Sequence, residues 1–177
     1  MIDPMFFLLR AHDNDGYMFP EYHADSFESW VKLDKRKVNL NFTPRRKLDL
    51  SYTYDGYLIA SSRFVEYCKK NSLIGFEFIS LNSSKFYVVK AIETVSLKEN
   101  NASSFIEYHQ FHEMYSEYFE VVCPTSSDFI LDFKNDFAIT ELKFGTGNQK
   151  SGEIFVRGSV GEKMKTEKFK GLFLEKC

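Results

Sequence analysis

The sequence has few residues that would mark a compartment or a cofactor. Its three cysteines, Cys68, Cys123 and Cys177, are odd in number and lack CxxC spacing, which argues against a disulfide framework and against a zinc site. The net charge is only -2, so no global field draws the chain to nucleic acid or to an anionic membrane. The apolar run at residues 5–9 is too short for a signal peptide or a membrane span. We therefore expect a cytoplasmic protein with free thiols, no cofactor and no membrane contact.

Residues that build a core are abundant. Hydrophobic residues make up 44% of the 177 positions, with 19 Phe and 10 Tyr, and charged residues make up 27%. These values are ordinary for a globular domain and exclude disordered, collagen-like and coiled-coil chains. The length fits one domain, spanning residues 1–177.

Alternation of apolar and polar residues predicts strands at residues 38–42 and 48–54. The second strand leads into Asp55-Gly56 and then residues 57–60, and an Asp-Gly pair between apolar runs predicts a hairpin with a type I′ turn. Two more hairpins are predicted, joining residues 76–81 with 86–92 and residues 139–144 with 153–157.

Two short helices are predicted from apolar spacing and capping residues. One covers residues 63–71, with Ser62 as the N-cap, and the other covers residues 160–168, with Ser159 and Glu162 at capping-box spacing. Residues 105–119 also have apolar side chains at helical spacing, although their aromatic content makes a strand possible.

The two helices belong to a weak internal repeat. A shift of 96 positions aligns residues 58–60 with 154–156 and Gly75 with Gly171. Other aligned pairs are apolar in both copies: Phe64 with Val160, Cys68 with Met164, Leu73 with Phe169, Phe76 with Leu172, and Phe78 with Leu174. A helix of about ten residues is marginal alone. Each helix is therefore expected to pack its apolar face on the strands beside it.

These patterns together predict an α+β fold in one domain. We expect a mixed, mostly antiparallel sheet with two or three short helices packed on it.

Two parts of the chain resemble a bacterial family of polymorphic-toxin immunity proteins. Tyr57-Leu-Ile-Ala-Ser-Ser-Arg-Phe-Val-Glu-Tyr-Cys68, with residues 73–78 and 86–89, is similar to the central module of that family. Residues 154–164 and 169–174 resemble its closing pattern of strand, helix, small-residue turn and apolar strand. The resemblance implies a small α+β protein that binds and neutralises a cognate toxin and has no catalysis of its own.

An acidic and aromatic stretch near the start of the chain is the candidate surface for such a partner. Carboxylates speed the encounter with a basic cleft, and aromatic side chains supply buried anchors. Gly16 and Pro20 are expected to keep this stretch from forming a regular strand. The predicted partner-binding residues are Asp13, Asp15, Tyr17, Phe19, Glu21, Tyr22 and Asp25.

Two other classes of function remain open. A small Cys/His hydrolase would use Cys123 with His109 or His112. A nucleic-acid-binding module would use residues 32–47, which carry seven basic residues against one aspartate. Residues 1–30 carry six carboxylates against one arginine, so the two segments are expected to neutralise each other in part.

Other motifs fail on their spacing. Residues 145–151 do not form a phosphate loop, because Gln149 stands where that motif requires glycine. Residues 13–16 do not begin a calcium loop, because Ala11 and Tyr22 occupy positions that need ligands. The HExxH order of zinc proteases is also absent. No metal site is therefore predicted.

Overall fold

The computed structural model describes residues 5–18, 38–54, 56–82, 85–98, 111–112, 117–118, 126–141, 144–146 and 149–177. The two α-helices in these ranges are α1 (Ser62–Lys70) and α2 (Gly158–Glu167), and Ser126–Asp128 form a short 3-10 turn. The strands are β1 (Phe6–Asp13), β2 (Leu50–Tyr52), β3 (Leu58–Ser61), β4 (Phe76–Ser80), β5 (Phe86–Ala91), β6 (Thr94–Val95), β7 (Phe111–His112), β8 (Glu117–Tyr118), β9 (Phe137–Thr140), β10 (Phe144–Thr146), β11 (Gln149–Ser151), β12 (Ile154–Arg157) and β13 (Leu172–Lys176).

One sheet of nine strands forms the body of the described chain. Its main path runs β4-β5-β3-β2-β1-β12-β9-β6, and β13 pairs with β1. The pairs β1–β2 and β6–β9 are parallel, whereas the others in this sheet are antiparallel. The predicted α+β class and the mostly antiparallel sheet are therefore confirmed.

Strand β1 is central, although alternation did not predict it. It pairs with β12 along one edge and β13 along the other, and its last two residues pair with β2. Its first four side chains are all buried, because both faces of the strand are covered. A strand covered on both faces is a continuous apolar run rather than an alternating one.

The strand predicted at residues 38–42 is wrong. These residues form a turn, in which the Phe42 N–H donates to the Asn39 carbonyl at 3.0 Å and the Asn41 N–H donates to Asn39 Oδ1 at 3.1 Å. Val38 and Phe42 are buried while Leu40 is exposed, so the three apolar residues do not share one face as they would in a strand. In residues 48–54, only β2 is a strand.

The three predicted hairpins are present as β2–β3, β4–β5 and β9–β12. The turn of the first is not type I′. The Thr53 N–H donates to the Tyr57 carbonyl at 2.8 Å, so three residues rather than two lie between the closing pair. Gly56 has a φ of +82°, as the Asp-Gly signal required.

Both helices begin earlier than predicted. Ser61, not Ser62, caps α1, and its hydroxyl accepts from the Phe64 N–H at 3.3 Å. Helix α2 begins at Gly158, and Arg157 before it directs its guanidinium to the carbonyls of residues 133–135. The predicted Ser159 cap is therefore wrong.

A third helix is not found in the described part of residues 105–119. Residues 111–112 and 117–118 pair there as β7 and β8, so the helical alternative is wrong for those four residues. The described ranges therefore hold two helices, the lower of the two numbers expected.

The internal repeat recurs in the backbone with the predicted spacing of 96 residues. Strand β3, helix α1 and strand β4 begin at residues 58, 62 and 76, and β12, α2 and β13 begin at residues 154, 158 and 172. Ser72 and Lys168 both have a φ of +52°, and Gly75 and Gly171 follow with φ of +117° and +80°. The predicted inward faces are also present, because Phe64, Cys68, Val160 and Met164 are all buried.

The repeat also extends beyond the segment that the sequence revealed. Tyr52 pairs with Leu58 as Ile139 pairs with Ile154, so residues 49–53 and 136–140 are equivalent. Ala91 pairs with the first residue of β4 as Ala11 pairs with the first residue of β13. Strand β1 therefore holds the place in the second repeat that β5 holds in the first. The second repeat is circularly permuted, with its last strand at the start of the sequence.

The two repeats are interlocked by equivalent contacts. The Asp49 carboxylate, in the first repeat, accepts from the Lys170 N–H of the second at 2.8 Å. The Asp136 carboxylate, in the second repeat, accepts from the Ile74 N–H of the first at 2.8 Å. At Gly75 an added Cβ would lie 2.3 Å from the Phe137 carbonyl oxygen, so each repeat packs closely on the backbone of the other.

Two equivalent crossings join the repeats, one in the middle of the strand order at β2–β1 and one at its end at β9–β6. After β1, the chain crosses so that Asp13 pairs with Tyr52 of β2. After β5, it crosses so that Thr94 pairs with Ile139 of β9. Residues 12–18 are called the first arm below, and residues 92–98 the second arm.

Candidate functional site

Three of the seven predicted partner-binding residues lie together in the first arm: Asp13, Asp15 and Tyr17. The other four, Phe19, Glu21, Tyr22 and Asp25, lie outside the described residues, as do residues 32–37, His109 and Cys123. Of His112, only the backbone in β7 is described.

The first arm forms a tight turn against the β2–β3 loop. The Tyr54 N–H donates to the Gly16 carbonyl at 2.8 Å, and the Tyr54 hydroxyl donates to Asp15 Oδ1 at 3.2 Å. The rings of Tyr17 and Tyr54 meet at a tilt of 60°, with their centroids 5.2 Å apart. Met18 follows and is fully buried beside Phe42, which anchors the turn in the core.

Arg46 brings the basic segment against this acidic turn. Its Nε lies 3.7 Å from Asp15 Oδ2, its Nη1 donates to the Asp13 carbonyl at 3.3 Å, and its N–H donates to the Asn14 carbonyl at 3.2 Å. The predicted partial neutralisation of the two segments is therefore present at this point.

The resulting patch is accessible. Tyr17 is 43% exposed, and the side chains of Arg46 and Asp15 are 47% and 48% exposed. We call Asp13, Asp15, Tyr17, Arg46 and Tyr54 the docking surface. Sequence reasoning missed Arg46 and Tyr54 as site residues, although the opposite charges of the two segments were a signal for Arg46.

The acidic neighbours of Tyr54 raise its pKa above the ordinary value of 10.0. The hydrogen bond to Asp15 is the largest cause, followed by desolvation and by the charges of Asp15, Asp13 and Tyr17. The phenol therefore stays protonated at neutral pH and keeps donating to Asp15.

Asn14 lies beneath the turn in an unusual state. Its side chain is fully buried, and within the described structure neither its amide nitrogen nor its amide oxygen has a hydrogen-bond partner. The oxygen faces Gly16, where an added Cβ would lie 3.3 Å from it. An unsatisfied buried amide lowers stability by about 1–3 kcal/mol. Such groups are rare in folded proteins, and each one calls for an explanation.

The two buried carboxylates of the described residues, Asp49 and Glu153, serve the fold. Glu153 is buried and pairs with Arg10 at 2.7 Å. Asp49 accepts from the Ser61 hydroxyl and the Arg63 guanidinium as well as from Lys170. These side chains hold β1 to the end of β12 and join α1 to the second repeat.

The described residues also bear on other classes of protein. Burial raises the pKa of the Cys68 thiol to about 12, so this cysteine is protonated at neutral pH. Among the residues that the structure describes, no cluster of three His, Cys, Asp or Glu side chains could hold a metal ion. In those same ranges, neither helix has the length and apolar character needed to cross a bilayer.

No family model matches the chain, and no curated protein matches it either.

Proposed function

We propose that this protein is a cytoplasmic, non-catalytic immunity protein that binds and neutralises a cognate bacterial toxin through the docking surface. The proposal is supported by the resemblance of residues 57–89 and 154–174 to polymorphic-toxin immunity proteins. It is also supported by the position of Asp13, Asp15 and Tyr17 on one exposed turn.

The observation that carries the proposal is the pair of tyrosine rings beside two carboxylates, with Tyr17 exposed and Tyr54 half-buried. Tyrosine and arginine are the side chains most often found at the energetic centre of a protein interface. Here Tyr17, Tyr54 and Arg46 are held by hydrogen bonds and ring contacts in the free protein. Little side-chain entropy is then lost on binding, which favours affinity.

The charge of the surface indicates the chemistry of the partner. Asp13 and Asp15 offer acceptors to a lysine or arginine, and the tyrosine rings offer faces on which a cation can stack. A toxin that acts on an anionic substrate presents such cations in its cleft. Occupation of that cleft by the docking surface would keep the substrate out.

The two other classes of function gain less support. The hydrolase would depend on Cys123, which lies outside the described residues. The nucleic-acid module would depend on the basic segment, and there Arg46 already contacts the acidic turn.

The test uses the toxin encoded beside this protein, in a catalytically inactive form for binding and in the active form for protection. Asp13→Lys combined with Asp15→Lys should leave the Tm within a few degrees of native and reduce the association rate at least tenfold at low salt. The reduction should shrink at high salt, because charge acts mainly on encounter. A matched control changes Glu66 and Asp132, two exposed acids elsewhere, to lysine. Native association by the first variant, or equal loss in the control, would contradict the proposed surface.

A further inference from the structure

The repeat supplies a reference for the first arm within the same molecule. Tyr52 and Ile139 hold equivalent places, and Asp13 pairs with Tyr52 as Thr94 pairs with Ile139. The two arms therefore share their register at the crossing pair itself, although the second arm reaches it with one more residue, because Thr94 is three positions after Ala91 and Asp13 only two after Ala11. If the two arms differ after these crossing pairs, the extra residues of one arm are not required by the fold that the repeats share.

Beyond the crossing pair, the first arm has two residues more than the second. Tyr54 and Glu141, each two positions after the paired residue, are equivalent, and Glu141 donates its N–H to the Val95 carbonyl at 3.1 Å. Tyr54 donates its N–H to the Gly16 carbonyl instead, and the Asn14 N–H donates to the Tyr52 carbonyl at 2.8 Å. Residues 14–16 thus occupy the place that Val95 alone fills in the second arm.

The arms return to the same register after the insertion. Tyr17 contacts the ring of Tyr54, and at the equivalent place the Ser96 hydroxyl donates to Glu141 Oε2 at 2.8 Å. One residue later, Met18 and Leu97 each pack against a hydrophobic cluster. The insertion is therefore a local bulge, and the links on either side of it belong to the repeat.

The bulge lowers the stability of the folded state in two ways. Asp15 has a φ of +59°, in a region that side chains other than glycine rarely adopt. Asn14 places an unpaired amide in a fully buried position, where the second arm has Val95 at 3% exposure. The second arm makes the same crossing without either penalty, so the fold itself does not need the bulge.

We propose that residues 14–16 are a binding element inserted into the repeat, which presents Asp15 beside the paired tyrosine rings to a lysine or arginine side chain of the partner protein. Arg46, 3.7 Å from Asp15, holds this position in the free protein and gives way to the partner's cation. The Asn14 amide, unpaired beneath the turn, supplies a donor and an acceptor once the turn is displaced. The identity of the partner as a toxin depends on the proposed function, whereas the status of the bulge as an insertion does not.

The first experiment removes the bulge by using the second arm as a template. Residues 14–16 are replaced by a single valine, which keeps Asp13, Tyr17 and Met18 in their register. We expect a higher Tm than native together with at least a tenfold weaker affinity for the inactive toxin. The matched control replaces Val95 by Asn-Asp-Gly, which should lower the Tm and leave the affinity unchanged.

A second pair of variants isolates the buried amide. Asn14→Val should raise the Tm, because it removes an unsatisfied polar group. Asn39→Val should lower it, because the Asn39 amide donates to the Met18 carbonyl at 3.0 Å and accepts from the Asn41 N–H. A fall in Tm for Asn14→Val would show that the amide is needed for folding and would overturn the inference.

The remaining outcomes separate this inference from the proposed function. A shortened variant that is more stable than native and still binds the toxin with native affinity would refute the bulge as a binding element. If the native protein fails to bind the toxin, the proposed function is refuted, and the Tm values still decide whether the bulge is dispensable for folding. A shortened variant less stable than native refutes the inference in either case.

Discussion

The permuted repeat predicts that the chain can be cut and rejoined without loss of the fold. In the first repeat, four residues, 82–85, connect Leu81 to Phe86, and the Leu81 N–H donates to the Phe86 carbonyl at 3.0 Å. In the second repeat, the Cys177 N–H donates to the Phe6 carbonyl, also at 3.0 Å. Joining residue 177 to residue 2 places residues 2–5, again four in number, between this equivalent pair.

The variant starts at residue 84, continues through the 177–2 junction and ends at residue 83. It opens one four-residue connection and closes another of the same length. The entropy of loop closure depends on loop length, so the two changes largely cancel, and the free energy of unfolding should stay within about 1 kcal/mol of native. Both strand pairs at the altered positions, β4–β5 and β13–β1, keep their register.

Urea unfolding followed by far-ultraviolet circular dichroism measures this difference directly. The control is a second permutant with the same junction, opened between Ile59 and Ala60 in the middle of β3. That cut interrupts the pairing of β3 with both β2 and β5, so the control should fail to fold cooperatively. The equivalence of β1 and β5 would be refuted if the free energy of unfolding of the first permutant fell by more than about 3 kcal/mol, several times the change expected from loop closure. It would also be refuted if both permutants were equally stable.

Three further predictions concern the core and the contacts between repeats. Burial raises the pKa of the Cys68 thiol from its ordinary value of 9.0 to about 12, so the stability that the protonated thiol contributes is complete below pH 9 and is lost as the pH rises toward 12. The free energy of unfolding in urea should therefore fall by roughly 1 kcal/mol between pH 8 and pH 10, and this fall should be missing in Cys68→Ala. Asp49→Ala removes the acceptor of three donors and should lower the free energy of unfolding by about 3–5 kcal/mol. Asp136→Ala removes the acceptor of one donor and should lower it by about 1–3 kcal/mol. Equal losses for the two variants in urea unfolding would contradict this difference. Phe64→Asp buries an unpaired carboxylate and should abolish cooperative melting. Phe173→Asp, the control at an exposed position, should still melt cooperatively. An unchanged Tm for Phe64→Asp would refute the inward orientation of Phe64.

The sequence predicted the elements whose signals are local. The hairpins follow from alternating runs around Asp-Gly and Asn-Ser turns, and helix α1 follows from a serine next to a periodic apolar face. It could not predict β1, because a strand buried on both faces loses its alternation. The similarity of residues 6–11 to residues 86–91 was visible, but it becomes meaningful only once both segments are seen to pair with equivalent strands.

In the candidate site too, the residues with a local sequence signal could be predicted and those brought in by the fold could not. Asp13, Asp15 and Tyr17 were predicted because acidic and aromatic residues around a glycine are typical of an exposed turn. Arg46 and Tyr54 come from segments roughly 30 and 40 residues away, and only the fold places them on that turn. The bulge is defined by hydrogen-bond register, so no inspection of residue types could have revealed it.

The reciprocal contacts between the repeats determine how the molecule can open. In solenoid proteins each unit contacts only its neighbours, so units can unfold one after another from an end. Here the Asp49 and Asp136 carboxylates each bind a loop of the other repeat, so unfolding of one repeat also removes hydrogen bonds from the other. The slowest-exchanging amides of both repeats should therefore become accessible in one event. The same connectivity would result from joining two identical short chains that had exchanged strands, so the reciprocal contacts of this single chain are those expected of a strand-exchanged dimer.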